Sequence, residues 1–206
     1  MGHGALPMNA KNKSELLFEG FCRDHGLVMS PVDTGPDPTP DYYLRFGEAI
    51  VFAEIKQIES ELGIDRDGVS SRIVGDHVRQ RILEARKQVQ VASRAGYPTI
   101  LLIYNMVDEP FQSFGTERHD FLAAMYGEPT IRLIEGKVAG SFHGKRSELQ
   151  SAKNTSFGAV GHLRRTNGGA EVTLYENLYA RNRVPFDVLP KCFTVVRPEI
   201  ESVGDQ

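Results

Sequence analysis

Residues 40–56, PDYYLRFGEAIVFAEIK, contain two acids and a lysine whose spacing could bring their side chains together. Two apolar runs flank a Gly-Glu dipeptide, and glycine at the first central position, here Gly47, is typical of a two-residue β-hairpin turn. With this turn Asp41 lies opposite Glu54, at roughly 4.5–5.5 Å between Cβ atoms. Because side chains alternate along a strand, Lys56 points to the same face. Carboxylates this close repel each other, so the hairpin predicts a divalent cation between them.

The opposite face of the predicted hairpin is apolar throughout, which predicts that it is buried. The alternative is an exposed edge hairpin whose acids and lysine are ordinary surface charges. The apolar runs on both sides of the turn favour the buried arrangement over this alternative. The apolar face consists of Tyr42, Leu44, Phe46, Ala49, Val51, Ala53 and Ile55.

The pattern of Pro40-Asp41, twelve intervening residues and Glu54-Ile55-Lys56 resembles the bipartite motif of the PD-(D/E)xK nuclease superfamily. The resemblance implies a restriction-endonuclease-like fold and metal-dependent hydrolysis of nucleic acid, with DNA as the expected substrate. It assigns Asp41, Glu54 and the carbonyl of Ile55 as ligands of Mg²⁺, for which Mn²⁺ could substitute. Lys56 would position or help to deprotonate the attacking water and offset phosphate charge.

Residues 13–25 are predicted to form a helix that has Ser14 as a plausible N-cap and ends at Gly26. Superfamily members often carry an acid on this first helix that reaches the metal site. Glu15 or Glu19 matches that acid, and Glu15 is favoured because it lies at the edge of the apolar stripe. It would act through water or on a second ion. The alternative is that both acids are solvated, with Glu15 stabilising the helix N-terminus. The stripe consists of Leu17, Phe18, Phe21 and Cys22.

A second, longer helix is predicted over residues 75–96, with an excess of positive charge. In many superfamily members a glutamine or a basic residue on the helix after the motif lies near the scissile phosphate. Gln88 or Arg81 could match it, so both are candidate nucleic-acid-binding residues. A solvated helix face with incidental charge explains the same residues. The apolar stripe of this helix consists of Val78, Ile82, Ala85, Val89 and Ala92.

The order of predicted elements is that of an α/β protein with a mixed central sheet flanked by helices. A helix, a short strand, the hairpin and the long helix are followed by a continuous apolar run at residues 99–104, typical of a strand buried on both faces. This order agrees with a restriction-endonuclease-like core over residues 13–107. A single nuclease-like domain is expected over 13–197, with poorly ordered tails at 1–12 and 198–206.

The C-terminal extension, residues 108–197, is predicted to hold a helix at 114–126 and additional strands that extend or cover the sheet. Two hairpins are expected, at 131–142 and 157–175. The polar segment 143–154, together with Arg164 and Arg165, could form a second positive surface for phosphates. Ordinary solubilising charge explains that segment equally well.

Composition limits the remaining function classes. A net charge of −3 argues against capture of nucleic acid by the charge of the whole molecule and leaves a local patch as the route. Two distant cysteines indicate a reducing compartment and no zinc site, and no apolar run is long enough to span a membrane, so a cytoplasmic protein is expected. A homodimer is allowed, since superfamily nucleases are often dimeric. The alternative function is a nuclease-fold binding module that does not cleave, within a larger DNA-processing or defence assembly.

Overall fold

A computed structural model describes residues 11–33, 35–59, 72–106 and 115–198, which form a seven-stranded mixed sheet with helices on both faces. The helices are α1 (Lys13–Asp24), α2 (Asp76–Arg94) and α3 (Arg118–Tyr126). The first strands are β1 (Val28–Pro31), β2 (Tyr42–Phe46), β3 (Ala49–Ile58) and β4 (Thr99–Asn105). The later strands are β5 (Pro129–Ile134), β6 (Lys137–His143), β7 (Ala159–Thr166), β8 (Gly169–Glu176) and β9 (Phe193–Val196).

The main sheet has the strand order β1-β2-β3-β4-β7-β8-β9. Strands β1 to β3 are antiparallel, β3, β4 and β7 are parallel, β8 is antiparallel to β7, and β9 is parallel to β8. Helix α1 packs on one face of this sheet, and α2 and α3 pack on the other. The predicted α/β class and mixed central sheet are therefore confirmed.

The hairpin of β2 and β3 has the predicted register. Tyr42 pairs with Ala53 and Phe46 pairs with Ala49. Gly47 has φ +61°, which the first central position of this turn requires and which glycine adopts without a steric penalty. The predicted apolar face is buried in the core beneath α1, except that Ala49 is only half-buried.

Helix α1 begins at Lys13, as predicted, but its N-cap is Asn12 and not Ser14. The side-chain oxygen of Asn12 accepts a hydrogen bond from the Glu15 backbone N–H at 2.9 Å, and the Glu15 carboxylate accepts one from the Asn12 N–H at 3.2 Å. This reciprocal pair is a capping box. Asn12 therefore belongs to the helix and not to the predicted tail, whereas residues 1–10 and 199–206 lie outside the described residues.

The long helix and the central strand were predicted correctly. The whole apolar stripe of α2 is buried, and all seven residues of β4 are buried. Arg79, which the prediction did not include in the core, is buried beside this stripe; its guanidinium donates to the backbone carbonyls of Val74, Ala123 and Arg146. None of the described helices is long and apolar enough to cross a bilayer.

The C-terminal half differs from its prediction in three ways. The hairpin of β5 and β6 forms a two-stranded sheet of its own, whereas β7 and β8 extend the main sheet as expected. Helix α3 begins at Arg118, and residue 114, where it was predicted to begin, lies outside the described residues. Strand β9 was not predicted, because its four residues are too few to show a period.

Candidate active site

Asp41 lies immediately before β2 and is bonded to the strands on both sides. Its carbonyl accepts a hydrogen bond from the Val32 N–H at 2.9 Å, and its Oδ2 accepts one from the Ile55 N–H at 2.8 Å. The backbone pairing of β2 with β3 ends at Tyr42 and Ala53. Beyond it, the Asp41 side chain accepts the hydrogen bond from β3 that a backbone carbonyl would otherwise accept. Pro40, which has no N–H, precedes it, as expected where a strand begins. The Asp41 carboxylate is therefore fixed beside residues 54–56 of β3.

Glu54 and Lys56 form an ion pair at the floor of the site. Lys56 Nζ is 2.7 Å from Glu54 Oε1, and the Glu54 side chain is only 1% exposed. Glu54 Oε2 is buried and has no hydrogen-bond partner among the described residues. Buried carboxylate oxygens are normally bonded, so this oxygen can take a proton, a water or a cation as its partner.

Burial and mutual repulsion change the acidity of both carboxyl groups. Burial, followed by the charge of Asp41, raises the pKa of Glu54 to about 7, although Lys56 acts in the opposite direction. Burial also raises the pKa of Asp41 against the lowering effects of the Ile55 N–H and of Lys56. Near neutral pH the pair therefore takes up a positive charge readily, either as a proton or as a metal ion.

Of the two candidate acids on α1, Glu15 is the one that lines the same cleft as Asp41. Its carboxylate is held by Asn12 in the capping box, and burial raises its pKa, with a further increase from the charge of Asp41. Glu19 instead accepts hydrogen bonds from the Tyr42 hydroxyl at 2.8 Å and from Lys11 at 2.6 Å. A position in the cleft and a helix-capping role are thus compatible for Glu15, since its one carboxylate lines the cleft and also closes the capping box.

These side chains surround an open cleft of about 450 Å³ between the end of β3 and the first turns of α2. Glu54 is not in its lining, and its buried carboxylate contacts the cleft-lining Lys56 at 2.7 Å. Two lining residues carry further buried polar atoms without a partner in the described chain, Gln57 Oε1 and Arg81 Nε. The cleft is lined by Asn12, Glu15, Asp41, Ile55, Lys56, Gln57, Ile58, Glu59, His77, Gln80 and Arg81.

Helix α2 brings Arg81 to the cleft, where its guanidinium also pairs with Glu84 at 2.7 Å. Gln88 lies two turns further along α2, about 10 Å away along the axis, and is not among the described residues that line the cleft. The prediction missed His77 and Gln80. Both could have been found from the helix geometry, because residues three and four positions after His77 lie on the same side of a helix as it does.

A second group of metal-ligating side chains occurs at the start of α3, where donor atoms of Glu117, His119 and Asp120 lie within 4.8 Å of one another. The guanidinium of Arg72 already bonds to both carboxylates of this group, and Asp120 Oδ1 accepts a hydrogen bond from the Gly75 N–H at 2.8 Å. These acids therefore link the residues before α2 to α3 and neutralise an arginine.

No family model, curated protein or solved structure matches the chain with significant similarity.

Proposed function

We propose that this protein is a metal-dependent phosphodiesterase of the PD-(D/E)xK type that hydrolyses nucleic acid, with DNA as the expected substrate. The observation that carries the proposal is the convergence of Asp41, Glu54 and Lys56 beside one cleft, with a buried Glu54 oxygen left without a partner among the described residues. The order of α1, β1, the β2–β3 hairpin, α2 and β4 further supports it, because the superfamily resemblance implied that order.

The donor atoms present suit a hard divalent cation such as Mg²⁺, with Mn²⁺ as a substitute. Asp41 and Glu54 would hold the ion, together with the carbonyl of Ile55. When bound, it would neutralise charge on the phosphoryl oxygens and make a coordinated water easier to deprotonate. The unpaired Glu54 oxygen and the raised pKa values of both carboxyl groups fit this role, because a bound cation would pair with that oxygen and offset the burial and repulsion of the two carboxylates.

Lys56 would be the residue that acts on the attacking water. Its ammonium neutralises Glu54 in the structure, and a cation that takes over this task would leave the ammonium free to donate hydrogen bonds in the cleft. There it could orient the water and offset the charge that develops on the phosphate. Glu15 would add negative charge near Asp41 while it remains bonded to Asn12. Arg81 would bind a phosphate oxygen through its guanidinium.

The test is cleavage of labelled DNA and RNA panels in Mg²⁺, in Mn²⁺ and with a chelator. We expect metal-dependent cleavage that falls by at least about 100-fold in Asp41→Ala and in Lys56→Ala, because each substitution removes a group needed for water attack. Glu48→Ala and Lys87→Ala are matched controls, since both side chains are exposed and neither lines the cleft. Unchanged cleavage in either cleft variant, with the fold intact by circular dichroism, would refute the assignment.

Calorimetric titration with Mg²⁺ or Mn²⁺ separates this function from a module with the same fold that does not cleave. Binding that disappears in Asp41→Ala supports the enzyme. Absence of binding to the wild-type protein favours the module, because the Glu54–Lys56 ion pair would then prevent a metal ion from binding to Glu54.

A further inference from the structure

A second cavity, of about 310 Å³, lies beside β7 and β8 at the N-terminal end of α3. None of the proposed catalytic residues lines it, although it lies on the same face of the sheet as Lys56. We refer to it as the α3 pocket. Its lining includes Thr116, Glu117, Arg118, His162, Arg164 and Thr173.

The strand register relates the α3 pocket to the cleft. Lys56 pairs with Ile103 of β4, Ile103 pairs with His162 of β7, and His162 pairs with Thr173 of β8. Partners in one row across a sheet share a face, so Lys56, His162 and Thr173 point to the same side. Neighbouring strands lie about 4.8 Å apart, which puts His162 roughly 10 Å from Lys56.

Both sites also lie towards the carboxyl ends of the parallel strands β3, β4 and β7. Helix α2 follows β3 and α3 follows β4, so the positive ends of both helix dipoles are directed to this edge. Ligands of open α/β sheets bind at this edge.

The polar groups of the α3 pocket suit a phosphate. His162 Nε2 is buried and has no hydrogen-bond partner among the described residues, and burial, then the charge of Arg164, lowers the pKa of this histidine to about 4. A neutral imidazole can donate one N–H to a phosphate oxygen. Arg118 is exposed and forms no ion pair within the described part of the chain.

The two acids of the α3 pocket that could repel an anion already have cationic partners. Glu117 pairs with Arg72 at 3.2 Å, and Glu171 pairs with Arg164 at 2.9 Å. Arg72 also pairs with Asp120, so Arg118 offsets the remaining negative charge at the N-terminal end of α3 and, because it is exposed, is the cation placed to contact an anion.

We propose that the α3 pocket binds a second phosphodiester of the nucleic-acid strand whose scissile phosphate occupies the cleft. This inference rests on the proposed function, because it takes the strand as the shared ligand. A separation of roughly 10 Å lies within the reach of a few consecutive phosphates of one strand. Arg118 and His162 are the residues that contact this second phosphate.

The first test measures binding of a fluorescent eight-nucleotide DNA by anisotropy, in Ca²⁺ and over a range of salt concentrations. We expect Arg118→Gln to weaken binding about 10-fold and to make the slope of log K against log salt shallower by about 0.7, as loss of one phosphate contact requires. His162→Phe should weaken binding by a smaller factor at pH 7. Arg94→Gln is the matched control, because Arg94 is exposed at the far end of α2.

The second test uses bis(p-nitrophenyl) phosphate, which is short enough to occupy the cleft alone. Its hydrolysis should be lost in Lys56→Ala and unchanged in Arg118→Gln. If the wild-type protein cleaves neither this ester nor DNA, the proposed function fails, and octamer binding still decides whether the α3 pocket contacts a strand. If it cleaves both while Arg118→Gln binds the octamer as well as wild type does, only the second phosphate contact is wrong.

Inorganic phosphate distinguishes a strand contact from a free-anion site. Suppose that millimolar phosphate raises the melting temperature of the wild type but not of Arg118→Gln, while both bind the octamer equally. The α3 pocket would then be a free-anion site, and the inference would be overturned.

Discussion

Glu54 is the residue whose environment most constrains the chemistry of the cleft. It is buried with one oxygen on Lys56 and the other without a partner in the described chain. The low dielectric around it penalises the ionised form, and Asp41 adds to that penalty. Without a bound metal ion, ionisation of the Glu54 carboxyl group therefore destabilises the folded protein.

Glu54→Gln is expected to stabilise the metal-free protein at pH 8. The amide keeps the size and one acceptor oxygen while it removes the buried charge, so the free energy of unfolding should rise by roughly 1–3 kcal/mol. Urea denaturation in chelator measures this change. Addition of Mg²⁺ should raise the stability of the wild type and leave the variant unaffected. A loss of stability in the variant would mean that the ion pair with Lys56 outweighs the desolvation of Glu54.

His162→Phe is expected to reduce the acid sensitivity of the protein. Because burial lowers the pKa of His162 to about 4, the unfolded chain binds more protons at this residue than the folded chain does between about pH 6.5 and 4. Stability is thus lost as the pH falls through that window, by up to about 3 kcal/mol, and a phenyl ring, which binds no proton, would not contribute to that loss. Unfolding free energies at pH 7 and pH 4.5 measure the difference, with His25→Gln, at an exposed position, as the control. Equal pH slopes in wild type and His162→Phe would contradict the prediction.

The sequence was sufficient to predict the motif residues but not the whole cleft. Asp41 and Glu54 could be paired from the sequence because turn length and alternation of side chains determine hairpin register. Helix geometry places His77 on the side of α2 that carries Arg81, but the convergence of that side with Gln57 could not be predicted, since it depends on where α2 crosses β3. That position results from packing between elements distant in the chain, which short-range periodicity does not specify.

Arg79 is the main polar contact between α2 and its surroundings. Its guanidinium bonds to carbonyls before α2, on α3 and in the segment after β6, and it pairs with Asp76 at 2.9 Å. Together these contacts hold the first turns of α2, which carry Arg81 to the cleft.

Arg79→Met is expected to destabilise the protein by about 3 kcal/mol. The substitution removes three hydrogen bonds from a charged donor, although the Ala123 carbonyl keeps the bond from the Gly127 N–H at 3.0 Å, and each lost bond costs about 1 kcal/mol or more. Chemical denaturation measures the loss, and Arg86→Met on the exposed side of α2 is the control. A variant as stable as wild type would show that water replaces these hydrogen bonds.

Elements with long or alternating patterns were predicted well, whereas features defined by local side-chain bonding or by tertiary pairing were not. The apolar stripe of α2 can be recognised in the sequence from its helical spacing, and β4 from its continuous apolar run. The choice of Asn12 over Ser14 as N-cap depends on which side chain can reach the Glu15 N–H. Strand β9 exists because β8 offers a free edge with which it pairs.

At the scale of the whole molecule, charge is distributed to suit a local site within an acidic protein. The net charge is −3, and the cleft itself combines acids that suit a cation with Lys56 and Arg81, which suit a phosphate. The basic residues of the C-terminal half do not form the single positive surface that the sequence allowed. Arg164 lines the α3 pocket, whereas Arg165 lines a groove beside α1. Arg146 is neutralised by Asp76 and Glu128.

The β5–β6 hairpin lies outside the seven-stranded sheet. Residues 131–139 are exposed on both faces, and four large apolar side chains there are 58–71% accessible: Ile131, Leu133, Ile134 and Val138. Its base is closed by the backbone, since the Gly144 N–H bonds to the Glu128 carbonyl at 2.7 Å and the Glu128 N–H to the Lys145 carbonyl at 3.1 Å. The ladder also pairs Thr130 with Phe142.

The β5–β6 hairpin is consequently a place where the polypeptide can be shortened, or joined to a reporter protein, without disturbing the seven-stranded sheet. Replacement of residues 131–141 by Asn-Gly would close the chain between the paired positions Thr130 and Phe142 with a turn that favours hairpins. Calorimetry should then give a melting temperature within about 3 °C of the wild type, because the exposed residues 131–139 contribute little buried area. Unfolding of the shortened chain would reveal that the β5–β6 hairpin stabilises the core.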